Sequence, residues 1–173
     1  AAAQITLADT KRENLRKAVS TIQQAKGCDL IVLPEMLMGK RTEKTELYHL
    51  AEDVEHGEFA SALAQAAKDN SITVCACLWE ESGSERVYNT AVVFNPDGKL
   101  ITRYRKLHLF DALSVKESDT MLRGDSLPPV FEVAGVTCGL SICYDLRFPE
   151  VYRSLVKRGA QLFIIPSAWY AGE

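Results

Sequence analysis

Hydrophobic positions along the first part of the chain follow two different periods, which predict a strand, a helix and a second strand. Residues 15–25 carry apolar side chains at helical spacing, after a capping-box sequence at 10–13 and before Gly27, a residue suited to ending a helix. A short strand is expected at 4–7. The continuous apolar run at 30–33 is typical of a strand buried on both faces.

The same patterns continue along the chain and predict a mixed α/β domain whose helices cover the faces of its sheets. Turn sequences at 95–98 and 134–135 separate the strands of two hairpins. The predicted helices are 58–69 and 149–157, and the predicted strands are 72–79, 87–94, 100–104, 130–133, 136–142 and 162–165. Residues 111–129 have no clear periodicity, and long connections of this kind are more often functional than idle.

Length and composition fit one domain with a single core. The chain has 173 residues, of which 47% are hydrophobic, and this is enough apolar material for a packed interior. It carries 20 basic and 23 acidic side chains, for a net charge of −3. There is therefore no overall basic field for nucleic acid or for an anionic membrane.

Neither a membrane span nor a signal peptide is predicted. The apolar runs are far shorter than the roughly 20 residues of a membrane helix, and the start of the chain has no basic region before its apolar residues. The 5 cysteines are odd in number and most lie inside apolar segments, which favours free thiols in a reducing compartment. We therefore expect a cytoplasmic protein.

Three polar residues stand at or next to the ends of apolar strands. Glu35 follows the run at 30–33, Lys106 follows the second strand of the first hairpin, and Cys143 follows the second strand of the other hairpin. Each alone is more often a surface or core residue. Because ligands of α/β sheets gather where strands end, three different functional groups in such places predict a site.

Cys143 lies where the chain passes from a strand towards a helix within a few residues. A thiol at such a turn is near helix amides, which favour the thiolate and can bind a developing oxyanion, so we predict a nucleophile. The other cysteines do not lie at such a turn. Cys75 and Cys77 have no second Cys or His pair at suitable spacing, and no metal site is predicted.

A cysteine nucleophile needs a base, and histidine is a common one. His49 and His56 lie in a polar stretch and are expected to be exposed. His108 is two residues beyond Lys106, so in extended chain both would face the same side. His108 would then either line the site or support it, and an unrelated Cys-His acyltransferase stays an alternative function.

Three segments resemble the motif blocks of the nitrilase superfamily of carbon-nitrogen hydrolases, in the same order along the chain. They are Leu-Pro-Glu at 33–35, Tyr-Arg-Lys-Leu-His-Leu-Phe-Asp at 104–111 and Gly-Leu-Ser-Ile-Cys-Tyr-Asp-Leu-Arg-Phe-Pro-Glu at 139–150. The resemblance implies one carbon-nitrogen hydrolase domain over residues 1–173 with an αββα sandwich fold. It also implies a homodimer and no cofactor.

By the same resemblance, Glu35, Lys106 and Cys143 would form a catalytic triad. Glu35 would act as base and then acid, and the charge of Lys106 would stabilise the thiolate and the oxyanion. The backbone N–H of Tyr144 would be a second oxyanion donor. Glu117 matches the additional active-site glutamate of the family, and it would position the substrate amide or orient Lys106.

Cys-Tyr-Asp followed by Arg-Phe-Pro-Glu, together with Pro-Ser-Ala-Trp at 166–169, is similar to the amidase branch of that superfamily. A small carboxylated amide is therefore expected as substrate, and a nitrile is less favoured. Family members continue beyond the Pro-Ser-Ala-Trp region, so the chain is expected to lack the C-terminal part of the sandwich. The alternative is a catalytically inactive remnant or an interaction module of the same fold.

Overall fold

The computed structural model describes residues 1–42 and 45–169 of the chain. The α-helices are Lys11–Gln24 (α1), Glu58–Asn70 (α2) and Pro149–Lys157 (α3). The strands are Leu30–Val32 (β1), Thr73–Glu81 (β2), Val87–Phe94 (β3), Leu100–Arg105 (β4), Asp111–Ala112 (β5), Val115–Lys116 (β6), Met121–Leu122 (β7), Val130–Val133 (β8), Val136–Leu140 (β9) and Leu162–Ile164 (β10). Short 3-10 segments lie at Leu47–His49, Glu117–Asp119 and Cys143–Arg147.

Two sheets form the centre of the molecule. The first has the strand order β1-β2-β3-β4, with β1 parallel to β2 and the other neighbours antiparallel, and β7 pairs with the beginning of β3. The second has the order β10-β9-β8, with β10 parallel to β9. The antiparallel pairs β3-β4 and β8-β9 are the two hairpins that the turn sequences predict.

The side chains of β2 show how the layers stack, because neighbouring residues of a strand point to opposite faces. Val74 and Ala76 belong to the core that the first sheet shares with α1 and α2. Cys75 and Cys77 belong to a second core between the two sheets. With α3 packed on the second sheet through Leu155, the layers follow the order helix, sheet, sheet, helix, and the expected αββα sandwich is confirmed.

Helix α1 forms where its sequence signals place it. The Thr10 hydroxyl accepts a hydrogen bond from the N–H of Glu13, which caps the first turn. Asn14, Ala18 and Ile22 are spaced four residues apart, and their side chains are buried on one face. Gly27 follows the helix with φ of 94°, a conformation that glycine adopts without steric cost.

The expected strand at 4–7 is wrong. The chain start is held to the first sheet by an isolated parallel bridge between Ala2 and Val32 instead. Further along, the side chain of Asn14 forms hydrogen bonds with both the N–H and the carbonyl of Ala8. These side-chain contacts replace a strand ladder where the backbone turns towards α1.

The long connection at 111–129 contains more structure than its sequence pattern indicates. Strands β5 and β6 form a small hairpin, a 3-10 turn follows, and β7 joins the first sheet. Each of these strands has two residues, too few for an apolar period to be recognised.

No helix in the described part of the chain combines the length and the apolar character that crossing a bilayer requires. The last four residues of the predicted domain, 170–173, lie outside the described residues.

Candidate active site

Glu35 and Cys143 line one pocket, and Lys106 contacts two of its lining residues, Glu35 and Glu117, although these residues come from different parts of the two sheets. Glu35 is in the turn after β1, Lys106 directly follows β4, and Cys143 opens the 3-10 turn after β9. Glu35 and Lys106 are each only 1% exposed, and Cys143 is 8% exposed. The pocket has a volume of about 50 Å³, and its lining includes Glu35, Cys143 and Glu117.

Three donors hold the Glu35 carboxylate in place. Its Oε1 accepts hydrogen bonds from Lys106 Nζ at 3.0 Å and from Asn89 Nδ2 at 2.8 Å. Its Oε2 accepts one from the backbone N–H of Ala168 at 3.0 Å. The carboxylate is therefore fixed in orientation inside a largely dry environment, as a base that must meet one thiol requires.

The ammonium of Lys106 is clamped between two carboxylates. Its Nζ is 3.0 Å from Glu35 Oε1 and 2.9 Å from Glu117 Oε2. Burial acts to lower the pKa of Lys106, but the charges of Glu35 and Glu117 outweigh burial and raise that pKa above its ordinary value. Lys106 is therefore a permanent positive charge at neutral pH.

Glu117 is held as firmly as Glu35. Its Oε2 also accepts a hydrogen bond from the backbone N–H of Phe110 at 2.7 Å. Burial raises the pKa of Glu117, while the charge of Lys106 opposes that rise. Of the two roles expected for Glu117, these contacts match the one in which it orients Lys106.

The backbone at Cys143 has φ of 43°, in the left-handed region that non-glycine residues seldom adopt. The N–H of Cys143 donates to the carbonyl of Pro166 at 3.0 Å. Burial raises the pKa of the Cys143 thiol to about 12, and the charge of Glu35 adds to the rise. The opposing effects of Lys106 and of the Ala168 N–H do not overcome it.

The sequence pattern predicts that helix amides favour a Cys143 thiolate, and the structure differs on this point. The residues after Cys143 form a five-residue 3-10 turn, and α3 begins only at Pro149. Burial beside the Glu35 carboxylate raises the pKa of the thiol to about 12, so the resting form is the neutral thiol.

In an extended chain, His108 and Lys106 would face the same side. Strand β4 ends at Arg105, so the chain is not a strand at His108 and this condition does not hold. Its Nδ1 is 2.7 Å from Asp145 Oδ1, and its ring stacks on Phe148 with centroids 3.6 Å apart. Of the two roles expected for His108, these contacts match support of the site.

Asp145 is a buried carboxylate that joins the turn of Cys143 to the segment of Lys106. Its Oδ2 accepts from the Tyr104 hydroxyl at 2.8 Å and from the N–H of Ile142 at 3.1 Å. Its Oδ1 accepts from the N–H of His108 at 3.0 Å. Both segments are thus fixed relative to one carboxylate.

Tyr144 lines the pocket with its side chain. Its ring packs edge-on against Phe110, with centroids 4.9 Å apart, and against Phe148, with centroids 5.6 Å apart. These rings form an apolar wall beside Cys143.

The sequence pattern misses two of the groups that hold Glu35. Asn89 interrupts the apolar strand β3, which is the only signal that could have identified it. Its Oδ1 is buried and has no hydrogen-bond partner among the described residues. The backbone N–H of Ala168 carries no side-chain signal at all.

Within residues 1–42 and 45–169, no group of three or more His, Cys, Asp or Glu side chains is arranged to hold a metal ion. Cys75 and Cys77 lie in the core between the sheets.

Comparison with known proteins gives a family and several relatives. A family model described as carbon-nitrogen hydrolase matches residues 1–173. A deaminated glutathione amidase of Escherichia coli O157:H7 is 33% identical over 99% of this chain and 66% of its own length. An omega-amidase of Xenopus tropicalis is 36% identical over 96% of this chain and 62% of its own length.

The fold is also found among solved structures. A cysteine-to-serine mutant of the amidase from Nesterenkonia AN1 matches with a TM-score of 0.87 and 25% identity, over 99% of this chain and 66% of that one. Another mutant of that amidase shows Michael addition of acrylamide at its active site cysteine. The chain spans 62–67% of the length of these proteins. The chain belongs to the carbon-nitrogen hydrolase family, and the proteins it is similar to are amidases.

Proposed function

We propose that this protein hydrolyses the C–N bond of a small carboxylated amide through a thioester on Cys143 and releases ammonia. The observation that carries the proposal is a small pocket lined by the thiol of Cys143 and by the fixed carboxylate of Glu35, which the permanent ammonium of Lys106 contacts at 3.0 Å. The similarity to amidases supports an amide substrate over a nitrile. The homodimer and the cytoplasmic location stay predictions from the sequence.

The first half of the reaction needs a base because the resting thiol is protonated. Glu35 removes the Sγ proton as Sγ attacks the carbonyl carbon of the amide. The carbonyl oxygen becomes an oxyanion, which the Lys106 ammonium and the backbone N–H of Tyr144 stabilise. Losing one such donor typically costs about 3 kcal/mol in the barrier.

The second half returns the enzyme to its starting state. Glu35 gives its proton to the amide nitrogen, the C–N bond breaks, and ammonia leaves the Cys143 thioester. Glu35 then removes a proton from water as the water oxygen attacks the thioester carbon. The C–S bond breaks, the sulfur regains a proton from Glu35, and the carboxylic acid product is released.

Ammonia release from glutaramate, the monoamide of glutaric acid, tests this function. We expect Cys143→Ala to lower the rate by at least about a thousandfold, since no nucleophile remains. Cys28→Ala is the matched control, because Cys28 is an exposed thiol away from the pocket, and it should leave the rate unchanged.

Three results would contradict the proposal. Equal ammonia release by the Cys143→Ala protein would exclude the thioester, and no release by the parent protein would favour the inactive remnant. Glu35→Gln should be as inactive as Cys143→Ala. Full activity of Glu35→Gln combined with an inactive His108→Ala would instead favour the Cys-His alternative.

A further inference from the structure

A larger cavity adjoins the pocket of Cys143. Its volume is about 340 Å³, and it shares Met36, Val115, Glu117, Ala168 and Trp169 with that pocket. The pocket beside the thiol has only about 50 Å³, the space of a few water molecules at most. A substrate larger than its reacting amide group must therefore extend into the larger cavity.

The charged side chains around this cavity favour an anion. Lys40, Arg41 and Lys116 line it, whereas its acidic lining residue is Glu117. The charge of Glu117 already faces Lys106. Among the described residues that line the cavity, basic side chains therefore outnumber acidic ones, and a basic lining favours anionic ligands.

Lys40 differs from the other two basic side chains of the cavity in its ion pairs among the described residues. Arg41 is paired with Glu46 at 2.8 Å, and Lys116 is paired with Asp119 at 3.2 Å. Across residues 1–42 and 45–169, the Lys40 ammonium forms neither an ion pair nor a hydrogen bond. An incoming carboxylate would therefore displace no acid of the described residues from Lys40.

The backbone that carries Lys40 is fixed by the same turn that carries Glu35. The N–H of Gly39 donates to the carbonyl of Met36 at 2.9 Å, and Gly39 has φ of 121°. The indole Nε1–H of the buried Trp79 donates to the carbonyl of Gly39 at 2.8 Å. Two hydrogen bonds of Gly39 therefore hold the backbone directly before Lys40 at the cavity wall.

We propose that Lys40 binds the distal carboxylate of the substrate in this cavity while the amide lies beside Cys143. A monoamide of a small dicarboxylic acid, which belongs to the carboxylated amides of the proposed function, carries both of these groups. This inference rests on the proposed function, which places the amide at Cys143. It adds the residue that selects substrates with a carboxylate at the far end.

Two amides of equal chain length isolate the carboxylate. Glutaramate and pentanamide differ only in having a carboxylate or a methyl group at the far end. Their Kd values are measured by NMR titration of the Cys143→Ala protein, in which turnover is blocked. We expect glutaramate to bind more tightly, and we expect Lys40→Met to reduce the preference for glutaramate about tenfold, as loss of one hydrogen bond between charged groups would.

Matched variants separate charge from side-chain length. Lys40→Arg keeps the positive charge and should keep most of the preference, and Lys26→Met, an exposed lysine outside the cavity, should keep all of it. Equal binding of the two amides, no binding of either, or an unchanged preference in Lys40→Met would overturn the inference. If the preference depends on Lys40 but the parent protein releases no ammonia from glutaramate, the carboxylate subsite stands and the proposed function fails.

Discussion

A buried ammonium between two carboxylates is the central feature at the scale of single residues. Glu35, Lys106 and Glu117 are all buried, and each carboxylate also accepts a backbone N–H. A buried charge is tolerated when it is paired and hydrogen-bonded. If one partner is removed, the other charge stays buried without compensation for its lost hydration, which destabilises the fold. The three side chains therefore depend on each other for stability as well as for position.

Glu117→Gln tests this dependence. The substitution keeps the side-chain shape but removes one of the two charges that raise the pKa of Lys106, so that pKa should fall. We expect the free energy of unfolding at pH 7 to fall by about 2 kcal/mol and hydrolysis of glutaramate to slow by about tenfold as Nζ loses an anchor. Guanidinium denaturation and ammonia release measure the two effects.

Glu132→Gln is the control for that experiment, because Glu132 is an exposed residue of β8. Because this carboxylate is in contact with water, its replacement should change the free energy of unfolding by no more than about 0.5 kcal/mol. If Glu117→Gln is no more destabilising than Glu132→Gln, the clamp around Lys106 does not stabilise the fold.

At the scale of elements, Asp145 connects the end of β4 with the turn after β9. Its carboxylate accepts from Tyr104 in β4, from His108 beyond it and from Ile142 just before Cys143. Burial and the charge of Asp145 raise the pKa of Tyr104, so its hydroxyl stays a donor. The two segments that carry Lys106 and Cys143 are therefore aligned through one side chain.

Asp145→Asn should disturb that alignment. An asparagine has one acceptor oxygen, and its NH2 group would face donors that now meet a carboxylate oxygen. We expect a loss of about 2–3 kcal/mol in the free energy of unfolding and a fall in kcat for glutaramate of at least about tenfold at temperatures where the variant is fully folded. Circular dichroism confirms folding before kcat is measured.

Asp125→Asn is the matched control, because Asp125 is exposed. This substitution should change neither the free energy of unfolding nor kcat. An Asp145→Asn protein that is less stable but has the parent kcat would show that Asp145 supports the fold without positioning the site.

Strands with long apolar runs, such as β2 and β3, are predictable because burial on both faces leaves a continuous signal. The strands that end next to Glu35, Lys106 and Cys143 are β1, β4 and β9, and the apolar or β-forming residues of these strands predict them as well. The contact between Ala168 and Glu35 joins residues 133 positions apart through a backbone N–H, so no local pattern could reveal it. The strand predicted at 4–7 is absent from the structure. The side chain of Asn14 forms hydrogen bonds with the backbone of Ala8 in place of the hydrogen bonds between strands.

At the scale of the whole molecule, the two sheets enclose several buried thiols. Cys75 and Cys138 lie in the core between the sheets, and Cys143 lies at its edge. Burial raises the pKa of Cys75 from 9.0 to about 12 and that of Cys143 to about 12. These thiols keep their protons in the folded state at pH values where the unfolded chain loses them.

This difference predicts that alkaline pH destabilises the protein. Between pH 9.0 and about 12 the folded state binds more protons than the unfolded state, so the free energy of unfolding falls as pH rises through that window. Each buried thiol should contribute a slope of about −1.4 kcal/mol per pH unit. Lys106 contributes a slope of the same sign above pH 10.5, because the unfolded lysine loses its proton there while the folded one keeps it.

Cys75→Ala isolates one thiol. The alanine lowers stability at every pH by leaving a small cavity, but it should flatten the slope between about pH 9.5 and 10.5 by about 1.4 kcal/mol per pH unit, because one protonation difference is gone. Urea denaturation with a reductant at several pH values measures the slope. Cys28→Ala, which removes an exposed thiol, should leave the slope unchanged, and an equal slope in Cys75→Ala would mean that Cys75 is accessible to water in the folded protein.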